Sequence, residues 1–190
     1  MDTTTGNTLS LITGCTNCII QDCYFEPGAS NSINVSGLAQ ASITIKRCVF
    51  RSGPGSACIT FTHAAVVDNA GHVVENCIFI GGVNGILSTR VGGITVKNCS
   101  FLSRLNPAIY VNTALTVGQT IVVNNCIFSG NATSCQGTVA GEIVENYNTF
   151  ANNSTDRTNT NTGANSVAYA ALLDSRWFFQ AVFANQSGKV

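Results

Sequence analysis

Charge is what this sequence has least of. Nine Lys and Arg face nine Asp and Glu among 190 residues, so 9% of the chain is charged and the formal net charge is zero. Binding nucleic acid takes a basic face that neutralises phosphates, and no nucleic-acid partner is expected. Long apolar runs are missing too. None approaches the roughly 18 residues of a membrane span, so no membrane insertion is expected. The opening MDTTTGNTLS lacks the basic and apolar regions of a secretory signal. Disorder is disfavoured, because 45% of the residues are hydrophobic and net charge is nil. A chain of this length supports one sizeable core.

The nine cysteines are an odd number, which argues against a closed disulfide framework. Cys15 and Cys18 form a lone CxxC with no sign of a helix N-terminus or a base to lower a thiol pKa, a weak redox signal. Five others occupy one place in a repeat. ITVKNCSF at 94–101 returns as IVVNNCIF at 121–128, HVVENCIF at 72–79 and ITIKRCVF at 43–50. IIQDCYF at 19–25 and EIVENYNTF at 142–150 are looser copies. The closing phenylalanines, Phe25, Phe50, Phe79, Phe101, Phe128 and Phe150, are 25, 29, 22, 27 and 22 residues apart. Such periods mark stacked repeats. Within each copy apolar and polar residues alternate, as in a strand with one face buried. A second alternating series follows half a repeat later, in SINVSG, ACITFTH, GILSTR and AIYVNT.

The residue before each cysteine reads as a bend: Asp22, Arg47, Asn76, Asn98, Asn125 and, in the last copy, Asn146. Asn tolerates the left-handed backbone better than other residues with a side chain. Cys23, Cys48, Cys77, Cys99 and Cys126 then point inward as small hydrophobes, a ladder of reduced thiols. The strand, Asn corner and inward Cys/Phe together resemble the right-handed parallel β-helix proteins, the superfold of pectate lyases, polygalacturonases and phage tailspikes. The resemblance covers about residues 7–150. It implies an all-β solenoid of about six coils of roughly 25 residues. By this reading residues 1–150 are the β-helix, and 151–166 are a polar linker loop. Residues 167–190, rich in aromatics, are a C-terminal cap or docking segment. The abrupt start of the first coil, near Thr8–Thr13, suggests a piece of a longer protein.

Activity is harder to read, since one fold hosts many chemistries. Resemblance to pectate lyases would require clustered acids for Ca²⁺, and to polygalacturonases paired carboxylates. The acids here are scattered, so no catalytic residue, metal or cofactor is expected. Glu142, Glu145 and Asp68 are the only modest candidates if the chain is instead a polysaccharide lyase or glycoside hydrolase, a reading that metal-free glycan cleavage lost on changing Asp68 or Glu75 would support. Two residues before the cysteines, Gln21, Lys46, Glu75, Lys97, Asn124 and Glu145 read as an outward ladder that fixes register. Asp22 and Arg47 read as a surface ion pair. His63 and Arg90, ending adjacent strands, with Asp68 in the following loop and Tyr110 outward nearby, form a candidate glycan site. One residue after the cysteines, Tyr24, Val49, Ile78, Ser100 and Ile127 should line an outer face, and an apolar row there is a candidate interface. Trp177 and Phe178 in the C-terminal segment are further interface candidates. The expectation is a non-catalytic module of a surface fibre or phage tail spike, extracellular or on a virion or cell surface. It would be a homo-oligomer, a trimer being favoured, that binds a polysaccharide or a cell-surface receptor.

Overall fold

Alternating apolar residues in every repeat can be buried only if successive repeats pair side by side, and this is the architecture observed. The computed structural model describes residues 9–11, 17–26, 31–36, 42–53, 55, 57–67, 70–103 and 106–169. They form a right-handed parallel β-solenoid of three seven-stranded sheets with no helix. One tier runs through Asn84–Val91 in sheet A, Ile94–Lys97 in sheet B and Ser100–Leu102 in sheet C. The next pairs Ile94 with Ile121, Val96 with Val123 and Phe101 with Phe128. Because the register is held from tier to tier, each inward position becomes a column of like side chains.

The Phe column is the clearest. Successive ring centroids lie 4.8, 5.0, 4.6, 4.9 and 5.1 Å apart from Phe25 to Phe150, with the planes within 7° of parallel. Those separations match strand spacing and suit offset stacking. Gly85 beside this column has no room for a side chain: an added Cβ would stand 2.7 Å from the Phe101 ring. The Cys column lies next to it. Cys48, Cys77, Cys99 and Cys126 are buried free thiols, and each donates to the carbonyl two residues earlier at 3.2–3.3 Å. Burial, reinforced by the Cys126 thiol, pushes Cys99 far above an ordinary thiol pKa, which makes it inert.

The bend residues have positive φ, between 53° and 58°, at Asp22, Arg47, Asn76, Asn98 and Asn125. Asn125 Nδ2 donates to Asn98 Oδ1 at 2.7 Å, and Arg47 makes two 2.7 Å bonds to Asp22. In the next tier the bend is Tyr147 (φ 56°), not Asn146. Asn124 pairs with Asn146 and Val123 with Glu145, so Glu145 points inward and is fully buried instead of joining the outer ladder. Asn148 takes the place of the cysteine.

That shift creates the closing feature of the core. Glu145 accepts from Arg157 Nε at 2.7 Å, Asn148 Nδ2 at 2.8 Å, the Gly163 amide at 3.0 Å and the Ser166 hydroxyl. Burial pushes its carboxyl pKa up, but these bonds and the guanidinium charge outweigh it and hold it below the usual range. Arg157 stacks over Phe150, 4.2 Å from the ring centroid, and so covers the last ring of the Phe column. Residues 151–166, where composition suggests a linker, contribute Thr155–Thr158 and Thr160–Asn161, the outermost strands of sheets A and B. Val167–Tyr169 adds the outermost strand of sheet C. The segment from 170 onward, with Trp177 and Phe178, lies outside the described residues.

Two stability predictions follow from this core. Phe101→Ala opens a gap in the middle of the column and should cost about 3–5 kcal/mol in denaturant unfolding. Arg157→Met leaves a buried carboxylate unpaired and should cost a similar ~3–5 kcal/mol, of which Glu145→Val/Arg157→Leu should recover a part.

Candidate functional site

The inward columns hold the solenoid together; what it can do for other molecules lies on the outward columns, which differ from sheet to sheet. On sheet A, Asn34, Thr60, Leu87, Tyr110, Gln136 and Thr158 stand in one column. Ser36, Thr62, Thr89 and Thr113 stand in a second. Thr89 and Thr113 both donate to Asn112 Oδ1, at 2.8 and 3.3 Å, where the register shifts by one residue. The Thr60 hydroxyl is buried without a partner.

Sheet B carries the charged ladder beside a largely apolar column of Ile19, Thr44, Val73, Thr95, Val122 and Val144, in which Ile19 is 60% exposed. Lys46, Glu75 and Lys97 are in register, and Lys97 Nζ lies 2.9 Å from Glu75. This part-exposed pair contributes little stability, on the order of 0.2–1 kcal/mol. Sheet C is also largely apolar, with exposed Arg51 beside Ile80 at one side. Tyr24, Val49, Ile78, Ser100, Ile127 and Thr149 form one outer column, as their spacing after each bend suggests. Ile80 and Leu102 adjoin it in the next. Tyr24 is 54% exposed and Ser100 is buried, while Val49, Ile78 and Ile127 are partly buried between their neighbours.

Of the residues expected to form a glycan site, the three described, His63, Arg90 and Tyr110, do not share one outward face. His63 and Arg90 do follow paired threonines on adjacent strands, Thr62 and Thr89. Between there and the Val67–Val91 pair, however, four residues of one strand oppose one of the other. Arg90 sits at that single position with φ 63°, exposed, and its Nη1 donates to the Ala64 carbonyl at 2.8 Å. It clamps the bulge. His63 turns inward and is buried, with Nδ1 2.7 Å from the Ala65 carbonyl oxygen and 3.1 Å from the Ala65 amide nitrogen. Tyr110 stays on the outer face of sheet A between Leu87 and Gln136. Asp68 lies outside the described residues.

His72 was not singled out by its sequence context, yet it shares a pocket with His63. Val35, Phe61, Thr62, Val67 and Val91 complete the lining, and the enclosed space is about that of one water molecule. His72 fills a place that adjoining tiers give to Ile43 and Ile94, stacks on Phe61 with centroids 4.8 Å apart, and accepts from the Ile43 amide at 3.2 Å. Accepting through Nδ1 requires a neutral ring, and burial pushes its pKa down to about 4.

Most of the described carboxylates have structural partners. Asp22 pairs with Arg47, Glu75 with Lys97, Glu145 with Arg157, and Asp156 accepts from Asn153. Glu142, also buried, receives the amides of Leu115, Thr138 and Val139 and so ties together two neighbouring loops. Among the described residues no group of three or more His, Cys, Asp or Glu could hold a metal ion. Comparison with family models, with curated proteins and with solved structures gave no match in any of the three.

The buried histidine gives a pH prediction. Folded, His72 stays neutral down to about pH 4; unfolded, it takes a proton near the ordinary pKa of about 6.5. Its contribution is therefore fully present above about pH 6.5 and is lost as pH falls toward 4, by about 3 kcal/mol in all. Denaturant midpoints between those limits should fall with pH, and His72→Ile should flatten that slope even though it strands the Ile43 amide.

Proposed function

We propose that this solenoid is a non-catalytic structural and binding module of a surface fibre or phage tail spike. Its fold would then be a member of the pectate-lyase-like superfold put to use as a rod. The observation that carries the reading is the constant register, which stacks the outward side chains of each sheet into columns. An apolar face on sheet C, with Val49, Ile78, Ile80, Leu102 and Ile127, suits lateral contact with further copies of the chain. A hydroxyl- and amide-rich face on sheet A, centred on Tyr110, suits a glycan or a glycosylated receptor. Lateral packing of rods favours a trimer, and the engaged carboxylates favour binding over cleavage.

An extracellular or virion-surface setting fits this role. Cys18 is disulfide-bonded, and disulfides form and persist in oxidising surroundings. The other described thiols are no objection, since those of the central column are buried.

Light scattering after gel filtration tests the rod reading. A mass three times that of the chain, reduced to one by Ile78→Lys with little change in melting temperature, is the expected result. A monomer at every concentration would remove self-association from the account. New reducing ends or unsaturated products released from a polysaccharide would replace the binding role with that of a lyase or hydrolase.

A further inference from the structure

We infer that the ligand of the sheet A face is an uncharged carbohydrate; this rests on the glycan-binding reading above and narrows it. Both outer columns of the face, from Asn34 to Thr158 and from Ser36 to Thr113, hold hydroxyls, amides, one leucine and one tyrosine. No charged side chain occupies either column among the described residues. Among the described residues the other cations are placed elsewhere: Lys46, Arg47 and Lys97 on sheet B and its bend, Arg51 on sheet C, and Arg157 turned into the core. Arg90 stands at the rim of the face, with Nη1 donating to the Ala64 carbonyl.

An acidic polysaccharide would bring a carboxylate or sulfate at regular intervals to this face. It would lose water there and find no row of cations in return. A neutral sugar asks for what the face provides. Its apolar ring surface can lie on Tyr110 or Leu87, and its hydroxyls both donate and accept, as Thr, Asn and Gln side chains do. A carbohydrate chain running along the solenoid axis would meet a new column position about every 4.8 Å.

The test is binding of the full chain to dextran and galactomannan on one side, and to polygalacturonate and hyaluronate on the other. The inference expects binding within the neutral set, unchanged between about 50 and 500 mM salt. Tyr110→Ala should weaken that binding roughly tenfold. Gln136→Ala, a second variant on the face, should weaken it too, while Lys46→Ala on sheet B should not. Melting curves of each variant separate lost binding from lost folding. Preference for the acidic set, fading with salt, would overturn the inference while leaving the glycan reading in place. Binding to neither set would overturn that reading and the inference with it.

Discussion

Everything in this molecule follows from parallel strands that pair about 4.8 Å apart and keep one register over successive tiers. A strand pair in isolation fixes only two neighbours. Repeated through three sheets of seven strands, the same pairing lays each residue type upon its own kind. Phenylalanines stack on phenylalanines, thiols follow thiols, and the charged ladder alternates in sign. The hydrophobic contribution is thus spread along an axis rather than gathered at a centre, and each tier is stabilised chiefly by those beside it.

Such a stack has to stop somewhere, and its last apolar layer must be covered. Among the described residues the covering is done with polar groups. Arg157 lies over the last ring of the Phe column, and its charge is balanced by Glu145, which Asn148, Ser166 and Gly163 also satisfy. A buried ion pair is tolerable only when its remaining hydrogen bonds are filled, and these are. Glu142 does a related task outside the core by gathering three loop amides. Two of the acids that might have suggested catalysis are therefore held by the fold.

Much of this was legible in the sequence because the repeat is itself the physical cause of the fold. The Phe spacing marked the tiers, and the residues after each bend marked the sheet C face. What escaped were departures from the repeat. Asn146 drew attention by its residue type, whereas counting back three from each Phe arrives at Tyr147. The same count places Glu145 with Val123, Val96 and Val74, inside. Residues 155–161 look like a linker because their strands are polar, and polarity is tolerable there because they are the outermost of their sheets. The inward turn of His63 could have been read from its alternation with Ile59 and Phe61; what escaped was the bulge after it, visible only once Val67 is paired with Val91.

The account stands on constant register from tier to tier, and one distance tests it directly. Positions 46 and 146 face outward on sheet B, four strand steps apart. Spin labels attached through Lys46→Cys and Asn146→Cys should give a narrow distribution consistent with about 19 Å between the backbones. A broad distribution, or one centred well away from that separation, would contradict the stacked solenoid and every face drawn from it.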